Sequence, residues 1–577
     1  MNEMSDQLRA ILFVVIALGV LFIWGHFFKP PVPPPNRKGT EQVAVAPQTS
    51  VPQQAVAATP EHAAPINIPV VQEAQEKAAV VESPLYRVQL SNRGAVVRSW
   101  TLKTYLDDQT PPRPLELVNP DSAAQLGWPF SLLLADPQLE AKANSALYQV
   151  TLGSANSTGG PLHAPAEITY HWSDGHLNVT KKLGFTQGYE TSLDVSVTLD
   201  GKPLPAAIAW RGGFGDKAVA KASQLVSVFY KENGKTTVLA YKKLGVSGNQ
   251  SQPYLQSGPL EFTGIEDQFF AAAFVPDGGD LSLWHWTRQH TITVDNKQEN
   301  EPEAEMAAGT AAAVPLRMQV YVGPKDLTLL SKLKPPLDDL VSFGWTSIVA
   351  KPLFYAMKWT HKYVPNYGWA IVLLTIAINI PMFPFKMMSW RSMQKMQKVA
   401  PEMQAIKDRY KKYSFNDPRK RKMNEEVMEM YQRHGINPLP IGSCLPMLVQ
   451  LPIWWGLERV LTGAIELRHA PWIWWIHDLS LKDPYYVLPV AMAIAMYAMT
   501  KMTPQTAVVD PAQQKMTQWM PLFFAAFFFN LSAGLNLYIF TSSLVGVGQQ
   551  YYLNKADPLP TRSKFKNKKK KNDAPSS

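Results

Sequence analysis

The chain contains one cysteine, Cys444, in 577 residues. A lone thiol closes no intramolecular disulfide and builds no cysteine metal centre, so neither staples any part of the fold. Cys444 lies in an apolar run and reads as a small buried hydrophobe. There is no glycine-rich nucleotide loop and no recognisable catalytic constellation, which removes the usual marks of an enzyme or a nucleotide-driven pump. No inverted repeat is evident, which weakens a small-solute transporter. From Pro30 to Glu82 aromatic residues are almost lacking and Pro, Ala, Gln and Val dominate. Such a segment buries too little apolar area to offset its ordering entropy, so 30–82 is expected to be a disordered linker.

What is present falls into two regimes. Hydrophobic residues make up 46% of the chain, yet apolar runs of spanning length crowd the start and the last third while the middle is ordinary soluble sequence. Residues 11–28, ILFVVIALGVLFIWGHFF, predict a transmembrane anchor within 1–29. No small-x-small cleavage pattern closes it directly, which favours an uncleaved anchor over a removed signal peptide. Between 83 and 325 the hydrophobic period changes to two, as at Leu193, Val195, Val197 and Leu199 in TSLDVSVTLDG. Asp174-Gly175 supplies a hairpin turn, and YRVQLSN, ALYQVTL, LSLWHW and LRMQVYV repeat the strand pattern. With no long helical pattern between them, these predict a large antiparallel sandwich. Asp174, His176, Glu190, Asp194, Glu261, Glu266 and Asp267 have no catalytic spacing and read as solvated strand faces and turns.

Residues 337–363 mix Trp345, Ile348, Leu353, Phe354 and Met357 with Lys351, Lys358, His361 and Lys362, a pattern suited to an amphipathic helix in the headgroup layer. Further spans are expected at 367–386, 442–465, 486–502, 516–531 and 533–550. With the anchor these give a polytopic α-helical membrane protein of six transmembrane helices carrying a large all-β domain. An even number leaves both termini on one side. The positive-inside rule then assigns that side, with the basic 391–433 segment and the 555–577 tail, to the cytoplasm. The β domain, and the loop at 466–485, fall on the periplasmic face; 503–515 is a cytoplasmic loop.

Residues 387–440 predict a cytoplasmic helical hairpin. Met396, Val399, Met403, Ile406 and Tyr410 make one apolar stripe. A second helix opens with Asp417 as N-cap and Pro418 in its first turn, carries Met423, Val427, Met430 and Tyr431, and stops at Gly435. Lys411, Lys412, Arg419, Lys420, Arg421 and Lys422 crowd its tip, and Lys568, Lys569, Lys570 and Lys571 the tail. Each alone is an ordinary solvated charge. As a set they suit an anionic partner, either ribosomal RNA or anionic lipid.

Polar residues inside the spans are the candidate site. Thr375 and Asn379 lie one turn apart in the second span, Gln450 and Arg459 in the third, and Asn536, Tyr538, Thr541, Ser542 and Ser543 in the last. Ser and Thr usually bond back to their own helix, whereas Asn, Gln and Arg are costlier and point to a shared wet cavity. Arg459 sits about 21 Å along the helix from Leu445, where snorkelling beside Glu458 competes with an inward role.

The segments MFPFKMMSWRSMQKMQKVAPEMQAIKDRY, INPLPIGSCLPMLVQLPIWWGLERVL, IELRHAPWIWWIHDLSLKDPYYVLPVAMA and SAGLNLYIFTSSLVGVGQQYYLNK strongly resemble the YidC/Oxa/Alb family of membrane insertases, over about residues 340–555. The anchor, linker and β domain fit its Gram-negative form. The resemblance implies a bacterial inner-membrane insertase and chaperone whose five-helix core encloses a hydrophilic groove open to cytoplasm and lipid. Thr375, Asn379, Gln450, Arg459, Asn536, Tyr538 and Ser542 would line that groove, and the β domain would be a supersandwich. It further implies nascent membrane proteins as clients, the Sec translocon and the ribosome as partners, a monomeric working unit, and no cofactor or metal. Family members typically carry an arginine where this chain has Asn379. The expectation is that Arg459 on the facing span replaces it. A transporter and a membrane-anchored, carbohydrate-active periplasmic protein are the alternatives.

Overall fold

The computed structural model describes residues 69–109, 111–153, 160–217, 222–245, 251–294, 297–341, 343–413, 417–435, 441–503, 519–520 and 527–556. The expected anchor, residues 30–68 of the linker, the 503–515 loop beyond its first residue, most of the 516–531 span and Lys568, Lys569, Lys570 and Lys571 of the tail lie outside them; the end of the linker, expected to be disordered, is instead a strand, Ala78–Glu82, which pairs antiparallel with Tyr86–Ser91 and buries Val81, because its two valines suit a pleated surface. Two units separate by contact: 62–344 with 463–466, and 345–462 with 467–577.

In the first unit the period of two becomes strand. β1 (Ala166–Ser173) and β2 (Leu177–Phe185) form a hairpin around Gly175, whose φ of 94° needs no Cβ to be accommodated. The Asp174 carboxylate closes the turn by accepting from His176 N at 2.9 Å and Leu177 N at 2.7 Å. β3 (Glu190–Leu199) follows, with Leu193, Val195 and Val197 buried. With β4 (Leu260–Glu266), β5 (Phe270–Pro276) and β8 (Leu316–Pro324) they belong to a 10-stranded antiparallel sheet in which β4, β5, β8, β3, β2 and β1 are consecutive neighbours. β6 (Ser282–Val294) and β7 (Lys297–Gly309) pair along their whole length within one 5-stranded sheet, and a second 5-stranded sheet contains the strand Val96–Leu106.

Lys181 joins the three sheets. It occupies an inward position of β2, between Val179 and Leu183, and is fully buried. Its Nζ donates to the carbonyls of Gly94 (2.8 Å), Ala95 (3.2 Å) and Phe130 (2.8 Å). The first two precede strand Val96–Leu106 and the third precedes strand Ser131–Leu133, so one ammonium ties β2 to a strand of each smaller sheet. Burial, reinforced by the charge of Arg211, pulls its pKa down to about 7.

Two acids expected on solvated surface are instead enclosed. Glu266 accepts from Lys325 Nζ at 3.2 Å, and the Asp267 carboxylate accepts from the amides of Phe269 (2.8 Å) and Phe270 (2.7 Å). Burial pushes both carboxyls above their ordinary range. Alternation alone does not reveal that the strand end carrying them folds under Lys325. His176 and Asp200 pair at the surface, 2.7 Å apart.

The second unit is helical. α1 (Ser347–Tyr363) buries Ala350, Phe354 and Met357 and exposes Ile348, Tyr355, Trp359 and Tyr363. α2 (Tyr367–Arg409) is continuous for 43 residues through Pro381, Pro384 and Pro401, so the second span and the first arm of the hairpin are one helix rather than two. α3 (Pro418–Arg433) starts at Asp417, whose side chain accepts from Arg419 N. Val399, Met403 and Ile406 of α2 meet Met430 of α3, flanked by Tyr410, Met423, Val427 and Tyr431. α4 (Ile441–Gly463), α5 (Val487–Met502) and α6 (Ala533–Ala556) complete the set, with α6 packed on α2 and α5. Among the described residues one helix, α2, is long and apolar enough to cross a membrane, and α5 is a shorter apolar helix.

Two consequences are measurable. Because Lys181 has a folded-state pKa near 7 against about 10.5 for a free lysine, the unfolded chain binds the extra proton between those values. Stability of the β unit therefore rises with pH from about 7 to about 10. Urea titrations of the full-length protein, followed by the β-sheet circular dichroism signal, should show this rise in the wild type and its loss in Lys181→Met. In the hairpin, Met403→Asp places a carboxylate in the only apolar seam between α2 and α3 among the described residues and should separate them, at a cost of about 2–4 kcal/mol. Spin-label distances between residues 406 and 427 would report the separation.

Candidate functional site

One end of the helical unit is capped by the 466–485 segment. Asn366 N-caps α2 by accepting from Trp369 N, and its amide donates to Pro471 O (3.1 Å) and Trp472 O (3.3 Å). Trp472 lies so near Gly368 that a Cβ there would come within 2.2 Å of its ring. The free amides at the start of α6 are taken up by the same segment: Ala533 N donates to Leu481 O at 2.6 Å and Gly534 N to Leu479 O at 2.8 Å. Asp483, 1% exposed, holds the segment by accepting from Trp475 Nε1, Tyr485 N and Leu488 N. Thus α2 and α6 begin at the capped end and run parallel, and α4 runs toward it.

Away from the cap, polar side chains cross between helices. Asn379 of α2 is 1% exposed, and its Nδ2 donates to Thr375 O at 2.9 Å and reaches Ser542 Oγ of α6 at 3.4 Å. Gln450 of α4 donates from Nε2 to the Tyr538 hydroxyl of α6 at 2.7 Å. Two groups absent from the sequence reading complete the cluster. Lys386 Nζ lies 3.2 Å from Asn379 Oδ1 and 2.8 Å from Gln549 Oε1, while Gln549 Nε2 donates to Asn379 O at 3.2 Å. The i, i+7 relation of Asn379 and Lys386 was available in the sequence, since two helical turns return a residue to the same face. Lys386 was hidden by position, because it ends the apolar run and resembles an ordinary flanking lysine.

The other expected residues behave differently. Thr375 Oγ1 donates back to Ile371 O at 2.6 Å and Ser543 Oγ to Ile539 O at 2.7 Å, as small hydroxyls in helices do. Asn536 is fully buried and donates to Phe528 O and Leu531 O just before α6, a local bond that shapes the turn into the helix. Arg459 is not brought to Asn379. It is exposed, and its Nε lies 3.6 Å from the adjacent Glu458. Gln450 marks the level of Tyr538, and Arg459 is roughly 13 Å further along α4 toward the capped end. Asn379 lies the other way, one turn along α6 at Ser542. The helical rise therefore separates the two, and the expected replacement of the family arginine by Arg459 is not what the structure shows.

At the hairpin tip Lys411, Lys412, Arg419, Arg421 and Lys422 are exposed and Lys420 is half-buried. Arg419 pairs with Asp417 at 2.9 Å and stacks 3.9 Å over the Tyr413 ring. Arg409 pairs with Glu426 at 2.8 Å.

Comparison with known proteins agrees with the division of the chain. Residues 78–356 match the family described as YidC periplasmic domain, and residues 359–559 match the 60Kd inner membrane protein family. The two matches together place the chain among the membrane protein insertases, a class that is not enzymatic. The membrane protein insertase YidC of Geobacter metallireducens is 32% identical over 94% of this chain and 98% of its own length. That of Syntrophus aciditrophicus is 31% identical over 95% of this chain and 99% of its own. The chain belongs to the YidC/Oxa/Alb family, in the form that carries a large periplasmic domain. Among solved structures, an active YidC insertase with its first transmembrane domain resolved matches at 18% identity and TM-score 0.34, over 84% of this chain and 94% of that one.

Tyr538→Phe removes the acceptor of Gln450 while keeping the ring. It should loosen α4 from α6 by about 0.5–1 kcal/mol, a typical worth for a hydrogen bond between membrane helices, measured by reversible unfolding in mixed micelles.

Proposed function

We propose that this insertase receives the polar segment of a nascent membrane protein at the seam between α2, α4 and α6 and releases its apolar segments sideways into lipid. The observation that carries the reading is the interhelical cluster of Asn379, Ser542, Gln450 and Tyr538, polar groups joined across helices that are otherwise apolar. Such groups lower the barrier for a polar loop to leave water, and the step needs no bond chemistry and no cofactor or metal. The capped end of the unit supports a seam closed toward the periplasm and open toward the cytoplasm.

In this reading the chain crosses the inner membrane six times with both termini in the cytoplasm and its β unit in the periplasm. Exposed Leu373, Ile376, Ile380, Val490, Ile494 and Leu544 on α2, α5 and α6 support contact with acyl chains. The exposed aromatic face of α1 suits the headgroup layer. The basic hairpin tip and tail recruit the ribosome and anionic lipid, and insertion proceeds as a monomer, either alone or beside the Sec translocon. The β unit carries no catalytic step.

Photocrosslinkers placed at 379, 450 and 542 should label ribosome-bound nascent chains, whereas one at 459 should not. Labelling of all these positions by lipid alone would count against the groove.

A further inference from the structure

In the β unit, β6 and β7 carry on one face a group of charged side chains that insertion does not use. Their register sets Trp286 opposite Glu305, Arg288 opposite Glu303 and His290 opposite Glu301, and alternate residues of a strand share a face. Three groups reach these acids, one to each. Gly212 N donates to Glu305 Oε1 at 3.0 Å, Lys217 Nζ lies 2.5 Å from Glu303 Oε1, and Ser223 Oγ donates to Glu301 Oε1 at 2.5 Å.

The acids are not equivalent. Glu305 is fully buried and saturated, since its oxygens also accept from Arg288 Nε (2.6 Å), Arg288 Nη2 (2.9 Å) and the Trp286 indole. Glu303 is buried as deeply, yet its Oε2 has no hydrogen-bond partner among the described residues. That oxygen lies over Gly213, where a Cβ would come within 2.1 Å of it. His290, 2% exposed, stands beside Glu303, and its Nδ1 is also without a hydrogen-bond partner. Nδ1 and Glu303 Oε1 are 3.6 Å apart, too far for a hydrogen bond. Two ligands each about 2.1 Å from one tetrahedral ion are separated by about 3.4 Å. One donor atom from each of His290, Glu301 and Glu303 lies within 4.8 Å of the others.

A buried ring nitrogen and a buried carboxylate oxygen without partners are each costly, and one cation reached by both satisfies them together. An imidazole nitrogen with carboxylates suits Zn2+, whereas Ca2+ and Mg2+ take shells of oxygen. Glu301 is half-buried and the Lys217 side chain 23% exposed, which gives an ion a way in and the ammonium a way out.

We propose that His290, Glu301 and Glu303 bind one Zn2+ ion, which displaces the Lys217 ammonium from Glu303. The site belongs to the β unit alone and does not depend on the insertion reading.

The test uses the full-length, untagged protein in detergent, stripped of metal with a chelator and dialysed against ZnCl2. The wild type should retain one equivalent of Zn2+ more than His290→Ala or Glu303→Gln. Its Co2+ form should show the strong visible absorption of four-coordinate cobalt, absent from both variants. Lys217→Gln removes the competing ammonium and should bind that equivalent about tenfold more tightly. Each variant is checked by its β-sheet circular dichroism; if neither ligand variant folds, Lys217→Gln decides alone. Unchanged or weaker binding in Lys217→Gln overturns the proposal. Equal stoichiometry in the wild type and a folded ligand variant overturns it too, as does a site that takes Ca2+ or Mg2+ in preference to Zn2+.

Discussion

An ammonium group leaves water only when other oxygens replace its hydration, and this chain meets that constraint twice with neutral acceptors. Lys181 and Lys386 sit in different units, yet each is held by carbonyl-type oxygens rather than by a carboxylate. A buried ion pair cancels its own field and often adds little stability. A lysine surrounded by neutral oxygens is fixed in direction but has no opposite charge to hold its proton, and at Lys181 burial pulls the pKa down to about 7. The two sites differ in how many protein oxygens hold the group, three at Lys181 and two at Lys386.

At Lys181 three carbonyls take three donors, so the group is saturated and its role is to hold. It links one strand from each of the three sheets, and the carbonyls of Gly94, Ala95 and Phe130 would be without this donor if it were removed. The apolar core around it, with Trp100, Phe130, Phe185 and Trp210 in contact edge to face or tilted, supplies the area term. The lysine supplies the register among sheets, which apolar contact alone specifies poorly. The enclosed Glu266–Lys325 pair is the more familiar solution to burying charge, and there each partner neutralises the other.

The sequence made the large divisions readable because they rest on strong periodic signals. The period of two in TSLDVSVTL, the Asp174-Gly175 turn and the Asp417-Pro418 helix start are local features whose outcomes are set by nearby backbone geometry. The candidate site was readable only in part. Asn379, Ser542, Gln450 and Tyr538 could be named because amides and phenols are conspicuous in apolar helices, but which partner each one finds depends on how the helices rotate against each other. Arg459 drew attention as the formal charge within a span, yet its neighbour Glu458 and its height along α4 keep it elsewhere. Lys386 is inconspicuous in sequence because a lysine flanking a span is ordinary; its place in the cluster comes from a side-chain direction that composition does not encode.

Asn379 places a neutral amide in the seam, yet the seam is not uncharged. A lysine rooted two turns along the same helix face points back toward its own N-terminus, as helical side chains do, and thereby brings its charge to the Asn379 amide. Asn379 is then the acceptor that aims that charge. An ammonium is a compact point charge with rotatable donors, whereas a guanidinium is a planar fork, so the two are not equivalent receptors. Rotatable donors let Lys386 meet two amides on different helices, Asn379 of α2 and Gln549 of α6, and so tie the helices together without the fixed geometry a fork would demand.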